Sequence, residues 1–190
     1  MISRTVAVAT LFLAVVAANE NGFPGAANPG PRASSPAVAM QDWTEFKYPE
    51  RGFAARFPVV PTPQEQVLGE EGHKYTQYMY IAEQADHAYM LCVFEYQPGV
   101  VPAIPDDVYF GKLIDAYAGG SKTTLRKKYP KTIAGHNGME AIADDAGGTH
   151  THMIGVIAVG NRLYLAVSLG PTGHETSAEA IRFRNSLRLL

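Results

Sequence analysis

Two histidines separated by one residue, His150 and His152, are the side chains of this sequence whose type and spacing best suit metal chemistry. Side chains alternate between the two faces of a β-strand, so both imidazoles would lie on one face and near each other. Neutral imidazole nitrogen is a ligand that zinc and copper accept. The spacing therefore predicts a zinc or copper site with two ligands in place. Further ligands would have to come from other parts of the chain: Asp144, Asp145, His73 or His136.

A second interpretation of the same pair needs no metal. A His-x-His segment at the start of a strand is also an ordinary polar strand face, with Thr149 and Thr151 on the opposite side. Isolated histidines are common at protein surfaces, where water hydrates them. The sequence leaves both interpretations open.

The histidines open the strongest local pattern in the chain, two β-rich runs on either side of Gly160-Asn161. Glycine and asparagine accept the positive φ of a two-residue turn, so the segment from Thr149 to Leu169 predicts a tight hairpin. Its second arm alternates, with four aliphatic residues on one face: Leu163, Leu165, Val167 and Leu169. Because an isolated hairpin is marginally stable in water, the chain must add further strands and a layer that covers these side chains.

Those further strands can be identified along the chain. Strands are predicted at 73–82 and 88–96, and the second is apolar on both faces, as expected in the middle of a sheet that is covered on both sides. Proline and glycine positions indicate the other strands and turns. These are a hairpin around Pro49–Gly52, edge strands at 64–68 and 123–133, and a turn at Asn137-Gly138.

Two helices are predicted as the covering layers. Over residues 106–118 the apolar side chains recur at helical spacing, and Gly119-Gly120 would end the helix. Thr172 and Glu175 have the spacing of a capping box, in which the two side chains each satisfy a free backbone amide. They predict the start of a last helix. Its buried face would carry Ala180, Phe183 and Leu187.

The N-terminal segment has the composition of an export signal followed by a linker. Residues 1–18 combine a positive charge at Arg4, an apolar run and small residues before a cleavage site, which predicts a secretory signal peptide. That run is shorter than the roughly 20 residues that span a bilayer, so no integral membrane segment is expected after cleavage. Residues 19–40 are rich in Pro, Gly and Ala, which predicts a flexible linker. Residues 41–190 would form a single domain.

The chain has a single cysteine, Cys92, and an exported protein would fold in an oxidising compartment. A lone cysteine forms no intramolecular disulfide, so the stability of the domain must come from packing. Its apolar neighbours predict a buried and unreactive thiol.

The composition argues against several classes of function. The chain has 16 basic and 18 acidic residues, a net charge of −2 and no block of like charge, so nucleic acid is not expected as a partner. Ser168 lacks the Gly-x-Ser-x-Gly context of a hydrolase nucleophile. The glycine-rich segments match neither a phosphate-binding loop nor a dinucleotide fingerprint. No catalytic residue is therefore assigned.

With its elements in this order, the chain resembles the PsbP-like and DcrB-like small exported bacterial proteins. The matching positions lie in four segments: Gly52-Phe53 with Phe57-Pro58, Gly135 with Gly138-Met139-Glu140, Arg162-Leu163-Tyr164, and Phe183 with Ser186-Leu187. The resemblance spans about residues 43–190. It implies the α+β class, with an antiparallel β-sheet flanked by helices in an α/β/α sandwich. The chain lacks the lipid-attachment cysteine of the lipoproteins in this group.

Together these features predict a periplasmic or secreted α+β domain that is a non-enzymatic binding or accessory module. Its partner, a protein or a small molecule, is not identified by the sequence. The alternative is a metal-binding or metal-dependent protein that uses His150 and His152. A third alternative is an enzyme whose catalytic residues converge only in three dimensions.

Overall fold

The computed structural model describes residues 43–69, 74–101 and 105–190. The predicted signal peptide (1–18) and linker (19–40) lie outside them. The elements are β1 Thr44–Tyr48, β2 Phe53–Phe57, β3 Thr62–Leu68, β4 Tyr75–Gln84, β5 His87–Glu95, α1 Asp107–Ser121, β6 Thr124–Ile133, β7 His136–Asp144, β8 His150–Val159, β9 Arg162–Pro171, α2 Ala178–Ser186 and β10 Arg188–Leu189, with 3₁₀ turns at Pro49–Arg51 and His174–Thr176. Neither of these described helices is long and apolar enough to cross a membrane.

The described strands form a large antiparallel sheet in the order β3-β4-β5-β9-β8-β7-β6 and a small one in the order β1-β2-β10. The predicted hairpin is confirmed, because β8 and β9 pair on either side of Gly160-Asn161 with Val159 opposite Arg162. The opening hairpin is also confirmed, with Tyr48 opposite Phe53. β5 lies beside β9 near the middle of the large sheet, as its two apolar faces predicted.

The large sheet is covered on both faces, by different layers. On one face α1 packs its apolar side chains, including Phe110, Ile114 and Tyr117, against β5, β7, β8 and β9. On the other face α2 and the small sheet bury a second cluster around Phe53, Phe57 and Phe183. The fold is therefore α+β and dominated by antiparallel sheet. β9, which was predicted to have one buried face, is buried on both.

The two edges of the large sheet are β3 and β6, in agreement with the sequence analysis. Each edge strand contains a proline, Pro63 in β3 and Pro130 in β6. A proline has no backbone N–H to donate, so it interrupts the pairing surface that an edge strand presents to other chains.

Cys92 is completely buried, as predicted. Burial raises the pKa of its thiol to about 12, against the opposing effect of a contact from the Gln77 amide. The thiol is therefore protonated and unreactive at neutral pH.

The turn predicted at Asn137-Gly138 is wrong. The chain turns at Ala134 and Gly135, which have φ of 48° and 83°, and Gly138 lies inside β7 opposite Lys131. A Cβ on Gly138 would lie 2.3 Å from the carbonyl oxygen of Val156 in β8. Glycine is thus required there by the close approach of a neighbouring strand and not by a turn.

The predicted end of the first helix is also wrong. Gly119 and Gly120 lie within α1, which continues to Ser121, and Lys122 takes the left-handed conformation that ends it. The Ser121 hydroxyl donates to the carbonyl of Tyr117. At the other end, the Asp106 carboxylate accepts from the Tyr109 amide and caps the helix.

The predicted capping box at Thr172 and Glu175 does not form. The Thr172 hydroxyl donates to the carbonyl of Gly148, and the Glu175 carboxylate accepts from Arg126 at 2.6 Å. Ser177 caps α2 instead, because its Oγ accepts from the Ala180 amide at 3.0 Å. The long-range partners of Thr172 and Glu175 thus displace the local ones that their spacing favoured.

Candidate functional site

The two histidines of the predicted metal site lie at the start of β8, on the face of the large sheet that α1 covers. His152 is partly buried, and its Nδ1 is 2.8 Å from the phenol oxygen of Tyr117 in α1. His150 is two residues earlier, at the first position of β8, beside the loop that joins β7 to β8. Both histidines are alternate residues of this strand, so its two-residue period places their imidazoles on the same face.

The loop before β8 is organised by the carboxylate of Asp145. It accepts from the Thr149 amide and the Thr149 hydroxyl, each at 2.8 Å, and from the His150 amide at 3.2 Å. Burial raises the pKa of Asp145, but these hydrogen bonds outweigh it and lower the pKa to about 2. The carboxylate is therefore ionised throughout the physiological range and fixes the backbone at His150.

The hydrogen bonds of His150 determine which ring nitrogen is free. Its Nδ1 is 2.9 Å from the Thr149 hydroxyl oxygen and 3.4 Å from Oδ2 of Asp145. The single hydroxyl proton of Thr149 is donated to Asp145. Nδ1–H of His150 is then the donor to Thr149, and Nε2 keeps the lone pair that a metal ion would use.

His152 is held in its neutral form. Its pKa is lowered to about 4, mainly by burial, with the charge of His150 acting in the same direction and Asp145 and Asp144 opposing it. Burial also raises the pKa of Tyr117, so the phenol stays protonated. A neutral imidazole at physiological pH is the form that ligates metal ions.

Of the additional ligands proposed from the sequence, Asp145 lies beside His150, with Oδ2 3.4 Å from Nδ1, and the others do not gather around the pair. Asp144 lies on the opposite face, where it accepts from the Thr151 hydroxyl at 2.8 Å and pairs with Arg126 at 3.0 Å. His136 is at the far end of β7, seven residues from the position that faces His152, or roughly 23 Å along the strand. His73 lies outside the described residues. Across 43–69, 74–101 and 105–190, no three His, Cys, Asp or Glu side chains converge to hold a metal ion.

A second histidine cluster, which the sequence analysis missed, lies at the same end of the sheet on its other face. His174 is only 3% exposed. Its ring packs edge-on against His87 and Tyr89, with centroid distances of 5.1 and 6.2 Å. Gly170 makes the space, because a Cβ there would lie 2.5 Å from Nδ1 of His174. A glycine in an otherwise bulky strand was the available signal.

Three residues that carry the PsbP-like resemblance, Gly52, Arg162 and Tyr164, lie together where the opening hairpin contacts the central hairpin. Arg162 donates to the Glu50 carbonyl and to the Glu95 carboxylate, each at 3.0 Å, and the Tyr164 hydroxyl donates to the Arg51 carbonyl at 3.1 Å. Gly52 has φ of 72°, and a Cβ there would lie 3.0 Å from both side chains. These contacts lock the opening turn onto the central hairpin, so the shared residues position the layers.

Comparison with known proteins gives a structural likeness. No family model matches this chain, and no curated protein matches its sequence. Among solved structures, cyanobacterial PsbP (CyanoP) from Synechocystis sp. PCC 6803 is similar, with a TM-score of 0.53 and 12% identity over 85% of this chain and 100% of that chain. This likeness shows that the chain has a PsbP-like fold.

Proposed function

We propose that the protein is an exported, non-enzymatic accessory domain that acts by binding a partner in the periplasm or outside the cell. The observation that carries this proposal is the PsbP-like fold shared with CyanoP over 85% of the chain, since the resemblance implies accessory domains of this kind. In this proposal α1 and α2 are the outer layers of an α/β/α sandwich, residues 1–18 are a signal peptide and 19–40 are a linker that lets the domain reach its partner.

Export predicts a defined N-terminus. The protein expressed from its full sequence is expected in the periplasm or medium with Asn19 as its first residue, because the apolar run ends at small residues suited to signal peptidase. N-terminal sequencing of the recovered protein measures this. Intact Met1 in a membrane fraction would contradict the export proposal.

The binding role is tested by cross-linking in intact cells. A partner is expected to be captured with the exported protein and not with a version that lacks residues 1–18 and stays in the cytoplasm. Mass spectrometry of the captured complexes identifies the partner. Equal capture by both versions would contradict a role in the exported compartment.

A second function, metal binding, is favoured by one specific observation. Nδ1 of His150 and Nδ1 of His152 are each held by an oxygen, from Thr149 and Tyr117 respectively. Metal-ligating histidines are oriented in this way, with Nε2 left for the ion. For His152 the metal-binding form is the tautomer in which Nδ1–H donates to the phenol oxygen. Zinc or copper would then take two ligands from this chain and the others from water or a partner.

Metal binding predicts a specific loss in two variants. Wild-type protein is expected to bind one zinc or copper ion, and His150→Ala or His152→Ala to weaken the affinity at least about tenfold, because a single imidazole competes poorly with water. Calorimetry with untagged protein at pH 7.5 measures the affinity, and His136→Ala, far along β7, is the matched control. Equal uptake by the wild type and the double variant would leave the pair as a polar strand face.

A further inference from the structure

A buried imidazole, that of His174, contacts both the start of the last helix and the large sheet. Nδ1 of His174 is 3.2 Å from Oγ of Ser177, and the same oxygen caps α2 by accepting from the Ala180 amide. Below, the His174 ring fills the space that Gly170 leaves open on β9. His174 therefore connects the start of α2 to the sheet.

The surroundings of His174 suit a neutral ring and not a charged one. Its Nε2 is buried and has no hydrogen-bond partner among the described residues. A protonated imidazole carries two N–H donors. Ser177 contacts Nδ1, so an N–H at Nε2 would have no acceptor among the described residues. A buried charge with an unsatisfied donor is costly.

The charged and titratable groups that face His174 come from every element packed around it. β5 contributes His87 and Tyr89, the turn before β5 contributes Asp86, the 3₁₀ turn contributes Glu175, and α2 contributes Glu179. Glu179 has the largest opposing effect of the three acids, and the other two each pair with another residue. Asp86 is 2.7 Å from Nδ1 of His87, and Glu175 is 2.6 Å from Arg126.

We propose that His174 is an acid-sensitive anchor, whose protonation releases the segment Thr172–Leu187 from the sheet and uncovers the apolar surface beneath α2. In the seated state burial lowers the pKa of His174 to about 4, with His87 acting in the same direction and Glu179, Glu175 and Asp86 against it. In the released state the pKa returns to its ordinary value of about 6.5.

The direction of the effect follows from proton binding. Between pH 6.5 and 4 the released state binds more protons than the seated state, so acid favours release by up to about tenfold per pH unit. The two pKa values limit the total shift in the equilibrium to about 300-fold. Above pH 6.5 the ring is neutral in both states and the anchor is insensitive to pH.

The fluorescence of Trp43, the single tryptophan of the chain, reports the seating of α2. Its ring lies 4.8 Å from Tyr89 and 6.4 Å from Phe183 of α2. We expect the emission of the purified wild-type protein to shift to longer wavelength between pH 6.5 and 4, while circular dichroism shows that the sheet persists. His174→Gln, which stays uncharged, is expected to lose this transition, and His136→Gln to retain it. An unchanged midpoint in His174→Gln would overturn the proposal.

A measurement on the wild type covers the case in which His174→Gln does not fold. NMR titration of the imidazole carbons is expected to show His174 titrating below the ordinary pKa of about 6.5, together with shifts in the backbone amides of α2. Titration of His174 without any change in α2 would overturn the proposal. So would movement of α2 while the His174 ring remains neutral.

Discussion

Phe183→Ala is expected to lower the free energy of unfolding by about 3–5 kcal/mol, as truncation of a buried aromatic ring does in other cores. The ring is 3% exposed and lies 5.4 Å from the rings of both Phe57 and Tyr89. It therefore joins α2 to the small sheet and to the large sheet at the same time. Urea denaturation followed by circular dichroism measures the loss.

The control for this prediction lies on the same helix. Ile181 is 38% exposed, so Ile181→Ala is expected to change the free energy of unfolding by about 0.5 kcal/mol or less. His174→Ala is not a neutral control, because its ring is buried beside the start of α2. Similar small losses for Phe183→Ala and Ile181→Ala would show that α2 does not close the second apolar cluster.

Gly138→Ala is the second large effect and is expected to lower the free energy of unfolding by about 3 kcal/mol, the upper part of the usual range for overpacking. The new methyl group would lie 2.3 Å from the Val156 carbonyl oxygen and 2.6 Å from Cγ2 of Ile157. A backbone oxygen cannot rotate away, so β7 and β8 would have to separate locally. Thermal denaturation measures the loss, and amide hydrogen exchange shows whether it is concentrated in these two strands.

A matched glycine separates steric crowding from the general effect of adding a methyl group. A Cβ on Gly119, in the last turns of α1, meets no atom of the described residues within 4 Å. Gly119→Ala is therefore expected to raise stability by roughly 0.5–1 kcal/mol, because alanine has the higher helix propensity. Equal destabilisation by both substitutions would contradict the close approach of β8 as the reason for Gly138.

Much of the architecture could be predicted from local patterns. Gly160-Asn161 identified the central hairpin, because the conformation of a two-residue turn depends on those two residues. The apolar residues on both faces of β5 predicted its position inside the sheet, since alternation is a property of the strand itself. Pro130 predicted that β6 is an edge strand, because proline has no backbone N–H to donate to a neighbouring strand.

The errors came from residues whose roles depend on distant parts of the chain. Asn137-Gly138 has the composition of a turn, but Gly138 is required by a carbonyl 18 residues further along, at Val156. Thr172 and Glu175 have capping-box spacing, yet Gly148 and Arg126 bind their side chains. Local sequence does not show which remote partner competes for a polar group.

The candidate site also has some features that follow from local sequence and others that depend on distant parts of the chain. The sequence by itself determined that His150 and His152 share a face, because that follows from the two-residue period of a strand. Only the tertiary structure decided that Asp144 pairs on the other face with Arg126, and that His174 is buried in the space left by Gly170. Periodicity is set by neighbours in the chain, whereas strand order and register bring residues from separate elements together, and these depend on the packing of the whole domain.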